Sequence, residues 1–143
     1  MIKMMVTWKD NPNKTVEEND AHYLGLHTQM GNYALHDVPG FLKYVQNRVV
    51  FHGVHEYNTR EVHEREPDFD RSIELYFADE AAFEQCYGRP ELDAMYADHL
   101  NFIHTEAAPS QKLYRLEERV EIVRGRDGTL YVPAPRGHFR WPK

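Results

Sequence analysis

Two histidines, His27 and His99, fall where a titratable ring is least expected, on the apolar stripes of two helical patterns. Imidazole titrates near pH 6.5, so such a ring can give or take a proton under neutral conditions. A buried neutral histidine needs partners for its ring nitrogens, and a core histidine satisfied by its neighbours is the simpler account of either one taken alone. Two of them on two helices that cover one sheet face point instead to a cavity between sheet and helices. The expected lining is His27, Tyr23, His99, Asn47 and Tyr96. In it His27, His99 and Tyr23 are the candidate catalytic residues, with Asn47, Tyr96 and Tyr76 as candidate substrate contacts.

The chain holds nine histidines, so metal arrangements need testing. There is no His-Glu-x-x-His and no cysteine cluster. His22 and His27 are five residues apart, as are His99 and His104, a spacing that sets each pair on different faces of an α-helix. No metal or other cofactor is expected. No glycine-rich phosphate loop, nucleophile elbow or Walker motif appears. Cys86 has no adjacent base and reads as core.

The elements that must position these groups follow from hydrophobic periodicity. Ile2, Met4, Val6 and Trp8 alternate with Lys3 and Thr7, the pattern of a strand. Thr15 followed by Glu18 is a capping box, which opens a helix from Val16 to about Tyr33 with Val16, Tyr23, His27, Met30 and Ala34 on one stripe. Pro39-Gly40 turns into a strand from Phe41 to Phe51, with Val45, Asn47, Val49 and Phe51 on one face. Residues 53–70 carry six acids against two arginines and read as a long loop, either a lid or a plain acidic connection. A third strand spans Ser72 to Phe77. Asp79 caps a helix from Glu80 to about Tyr87, and a second helix spans Glu91 to about Glu106 with Leu92, Met95, Tyr96, His99 and Ile103 on its stripe. Lys112 to Val123 is the fourth strand. From Arg124 the composition turns to glycine, proline and arginine, without helical pattern, and this tail is expected to wrap over its own subunit or its partner, with Phe139 and Trp141 as apolar anchors. The order is β-α-β-β-α-β, an α+β, ferredoxin-like split. It comprises one domain over residues 1–123 and a C-terminal extension over 124–143. Its four-stranded antiparallel sheet has helices on one face only, which leaves the other face for a symmetric partner.

At 143 residues with net charge −6, the chain lacks the basic footprint of a general nucleic-acid binder. One cysteine permits no internal disulfide, and the reducing cytoplasm is the expected compartment. The N-terminal Met1–Val6 run is too short for a signal peptide, and no apolar run approaches a membrane span. The sequon Asn13-Lys14-Thr15 reads as chance.

Three stretches resemble the EthD family of dimeric α/β-barrel proteins. They are Ile2–Val6, the helix with His22-Tyr23-Leu24-Gly25-Leu26-His27, and the Pro39–Asn47 turn and strand. Arg71–Phe83 is similar to that family's third strand and second helix, and the likeness covers roughly residues 1–120. The resemblance implies a homodimer whose two sheets face each other and a pocket in each subunit between sheet and helices. Related members include muconolactone isomerases, polyketide cyclases, dehydratases of pigment pathways and monooxygenases that need no cofactor. His27 matches the family's histidine. Thr28-Gln29-Met30 lacks the proline often found after it, and residues 124–143 have no counterpart. The expectation is a cofactor-independent enzyme catalysing elimination, isomerisation or cyclisation on a small oxygenated cyclic or aromatic metabolite. The alternatives are a non-catalytic small-molecule binding or accessory protein, and a haem- or metal-dependent monooxygenase on the same fold. A small-molecule substrate and a second copy of the chain are the expected partners, with neither nucleic acid nor membrane.

Overall fold

A computed structural model describes residues 1–107, 111–118 and 122–131. The chain runs β1 (Ile2–Trp8), α1 (Val16–His22), a π turn (Tyr23–His27), α2 (Thr28–Leu35) and β2 (Phe41–Arg48). A small hairpin of β3 (Gly53–His55) and β4 (Val62–Glu64) follows, then β5 (Arg71–Phe77) and α3 (Glu80–Tyr87). Next come α4 (Asp93–Asp98), β6 (Gln111–Leu116), and β7 (Val123–Arg124) paired with β8 (Leu130–Tyr131). The main sheet is four-stranded and antiparallel in the order β2-β5-β1-β6. This is the ferredoxin-like α+β arrangement, with the two halves of the split motif interleaved.

The capping box forms as the sequence predicts. Thr15 Oγ1 accepts from the Glu18 amide at 3.1 Å, and the Glu18 carboxylate accepts from the Thr15 amide at 2.8 Å. Asp79 likewise caps α3 through the Ala82 amide. The Pro39-Gly40 turn passes directly under α3, where a β-carbon on Gly40 would stand 2.3 Å from that of Ala82, so only glycine fits. One apolar cluster joins Met4, Leu75 and Phe77 of the sheet to Ala34, Leu35, Ala82, Cys86 and Leu92, which confirms Cys86 as core. A second holds Val6, Trp8, Tyr23, Phe102 and Ile103 at the other end of the helical layer.

Several expectations need correction. The first long helix is not uniform: its middle widens into a π turn, and Val16 lies exposed off its stripe. The second strand stops at Arg48: one further bond in the same register, from the Val49 amide to the Asp70 carbonyl, closes the ladder, well short of Phe51. Residues 53–70 contain the β3–β4 hairpin instead of plain loop. The helix drawn from Glu91 to Glu106 is only α4 flanked by 3₁₀ turns at Pro90–Leu92 and His99–Asn101, and Ile103 then bridges to Asp10 as extended chain. The fourth strand ends at Leu116, opposite Lys3 near the start of β1. The docking expected of Phe139 and Trp141 lies outside the described residues.

Candidate functional site

The π turn sets the geometry. Its signature bond runs from the Thr28 amide to the Tyr23 carbonyl, five residues back, and the Thr28 hydroxyl donates to the same carbonyl at 2.8 Å. An α-helix places residues five apart on different faces, whereas the wider π turn brings them nearly into line. His22 and His27 therefore meet on one carboxylate, contrary to the spacing rule applied to the sequence. His22 Nε2 donates to Asp98, 2.7 and 2.9 Å from its two oxygens, and His27 Nδ1 donates to Asp98 Oδ2 at 3.0 Å. Asn101 Nδ2 adds a third donor at 2.9 Å.

Asp98 is only 5% exposed. Burial opposes its ionisation, but the hydrogen bonds from Asn101, His22 and His27 outweigh that cost and hold the carboxyl below its ordinary range. For His27 burial is the stronger influence, and it pulls the ring below 6.5 despite the Asp98 charge. Burial also pulls His99 down, with the nearby His27 ring reinforcing it, to about 4. Both rings are thus neutral at pH 7. A neutral His27 whose Nδ1–H bonds a carboxylate keeps its lone pair on Nε2, the protonation state that a general base requires.

His27 forms part of the wall of a cavity of about 310 Å³ between sheet and helices. Tyr23 stacks on His27 with ring centres 5.3 Å apart, Phe102 meets it edge-on at 4.5 Å, and His99 stands 5.4 Å away. Trp8, Tyr44, Ile73, Met95 and Leu113 continue a mostly apolar lining, to which Thr28, Asn32, His36 and Gln111 add polar groups. Tyr96 is also at the wall, 43% exposed, with its ring perpendicular to His99. The Tyr23 hydroxyl bonds that of Tyr44 at 2.5 Å. Gln46 then donates to Tyr44 at 3.1 Å and to the Thr28 hydroxyl at 2.8 Å, which ties the π turn to β2. Burial pushes both phenols up, so both stay protonated.

Four of the six expected residues, His27, His99, Tyr23 and Tyr96, therefore surround one cavity. Asn47 and Tyr76 do not. The irregularity in β2 between Phe41 and Lys43 pairs Tyr44 and Gln46 with Leu75 and Ile73, whose side chains face the helices. Asn47 is consequently on the opposite face, where it donates to Ser72 and Glu74, and Tyr76 lies there between the ammonium groups of Lys3 and Lys43. The residue missed from sequence is Asp98. The available signal was its position three after Met95 on the apolar stripe, where a carboxylate needs a partner. Among the described residues no group of three or more His, Cys, Asp or Glu side chains could hold a metal ion.

The EthD domain model matches residues 11–106, about two thirds of the chain and all of the elements that carry the cavity's histidines. The chain belongs to the EthD family. Solved structures agree on its fold. An EthD family protein from Bacillus halodurans C-125 superposes with a TM-score of 0.54 at 20% identity, covering 83% of this chain and 99% of that one. A dimeric ferredoxin-like protein of unknown function from Jannaschia sp. CCS1 gives 0.56 at 10% identity, over 82% and 98%. A variant of SnoaB, a cofactor-independent oxygenase from Streptomyces nogalater, gives 0.52 at 11% identity, over 82% and 92%. At these identities the likeness is one of fold. No curated protein sequence matches the chain significantly. In this EthD chain no helix among the described residues is long and apolar enough to cross a membrane.

Proposed function

We propose that this EthD protein is a cofactor-independent enzyme that moves a proton on a small oxygenated cyclic or aromatic molecule bound in the cavity. His27 is the general base and acid. The observation that carries this reading is the Asp98–His27 pair on the wall of an apolar cavity, with Nδ1 fixed by the carboxylate and Nε2 free to react. Tyr23 and Phe102 hold the ring in place, and His99, neutral, donates or accepts a hydrogen bond to a substrate oxygen. The reaction class is abstraction of a proton next to a carbonyl or lactone carbon, leading to elimination, isomerisation or cyclisation. A cavity near 310 Å³ is at the small end of the roughly 300–1,000 Å³ typical of ligand sites, which suits one to three fused rings. The active unit is a homodimer, because the sheet face away from the helices is left uncovered and displays Met5, Val45, Tyr114 and Leu116.

The test is hydrogen exchange at carbon. Lactones, phenols and cyclic ketones are incubated with the protein in D₂O, and deuterium entry into each is followed by NMR. His27→Gln should slow exchange about 10²–10⁴-fold while leaving ligand binding in place, since an amide hydrogen-bonds but does not shuttle protons. A folded His27→Gln protein that exchanges at the wild-type rate would overturn the assignment. Tight binding without exchange in the wild type favours the second reading, a binding protein with the same cavity.

A further inference from the structure

His22 takes no part in the cavity wall, yet it makes the shortest contacts with the carboxylate that serves His27. We propose that His22 is a positioning residue that controls, through Asp98, how readily His27 takes up a proton. The proposal rests on the reading of His27 as the proton-transfer group.

Asp98 supplies one negative charge to two imidazoles. With His22 neutral, its Nε2–H bonds Asp98 and its Nδ1 is bare. The His22 side chain is 21% exposed, against 7% for His27, so His22 is the ring of the pair that water reaches more readily. A protonated His22 forms an ion pair with Asp98 and neutralises it. His27 then lies buried beside a cancelled charge, and its own imidazolium has nothing to offset the loss of water. With His22 neutral, the full charge of Asp98 is available to a protonated His27. One carboxylate thus supports one imidazolium, and the two rings titrate against each other.

The remaining groups around the pair do not substitute for Asp98. His99, next along from α4, is held neutral, and Tyr23 on the π turn keeps its proton. Arg71 on β5 is already paired with Asp10 at 2.6 Å and with Asp20 on α1. Asn101 donates to Asp98 without charge. In the reaction, a proton taken from substrate by His27 Nε2 makes an imidazolium stabilised by Asp98, and Nε2 then gives a proton, exchangeable with solvent, back to product. His22 changes the ease of both steps without touching substrate.

NMR titration of the imidazole signals tests this without any substrate. In the wild type, His27 should titrate over a broadened range with a slope below one, because the two rings share one carboxylate. His22→Gln keeps an N–H donor toward Asp98 but removes the charge. It should raise the His27 midpoint by about one pH unit and sharpen it to a single step. His22→Asn serves if the glutamine variant folds poorly. A wild-type His27 curve of unit slope, or a midpoint unmoved in the folded His22 variants, would sink the coupling. The carbon-exchange assay fails or succeeds separately: a shifted midpoint with no exchange removes the catalytic reading and leaves the coupling intact.

Discussion

His99 should make the protein acid-sensitive in a defined window. Its ring is packed against His27, Tyr96 and Phe102, and burial lowers its midpoint from 6.5 to about 4. The unfolded chain binds a proton at this site near pH 6.5, whereas the folded chain does not until about pH 4. Between those values the unfolded state holds the extra proton, so stability falls as pH falls, and the loss is complete below the folded midpoint. At about 1.4 kcal/mol per pH unit, the difference amounts to about 3 kcal/mol, a large part of the stability of a typical domain. Urea unfolding at pH 7, 6, 5 and 4, at fixed protein concentration, measures it. His27 and other groups add their own acid losses, so the informative comparison is with His99→Gln, which stays neutral throughout. The wild type should lose about 3 kcal/mol more than the variant between pH 7 and 4. Parallel loss in the two proteins would refute the claim that the half-buried His99 is held uncharged.

Two other expectations concern assembly and the π turn. Light scattering at micromolar concentration should give about twice 16.9 kDa, and a monomer under those conditions would remove the barrel reading. Thr28→Val removes the hydroxyl that donates to the Tyr23 carbonyl and accepts from Gln46, and should cost about 1–3 kcal/mol through the loss of these two partly buried hydrogen bonds. Thr28→Ser should recover most of that, and equal unfolding midpoints for the valine and serine variants would show that the hydroxyl does not hold the turn.

Where the sequence carries strong periodicity, it foretold the structure. Alternation over Ile2–Trp8, the Thr15–Glu18 capping box and the Asp79 cap are local devices whose partners lie within four residues, and each forms as read. The stripe rule correctly brought His27, Tyr23, His99 and Tyr96 to one cavity. It failed on Asn47 because a strand's face depends on register. One irregularity near Leu42 exchanges inward and outward sides, so Gln46 took the place expected of its neighbour.

The π turn is the deeper reason that the centre of the site was hidden. Counted at 3.6 residues per turn, His22 and His27 diverge, and nothing in Tyr23–His27 as a string announces the wider turn. Part of its support is tertiary: the Thr28 hydroxyl joins the Thr28 amide on the Tyr23 carbonyl, and Gln46, on β2, donates to that hydroxyl in turn. The same widening delivers both histidines to Asp98, a residue whose partners are 71 and 76 positions away in the chain. A helix that departs from α-geometry at the residues that converge on a buried carboxylate is giving up regular hydrogen bonding where the site needs its side chains aligned. The departure therefore supports the assignment of His27 and Asp98 independently of the family's histidine. A repacked helix without the π turn would keep Tyr23 and Ala34 in the core but break the shared carboxylate, so the two histidines should lose their coupling together with the turn.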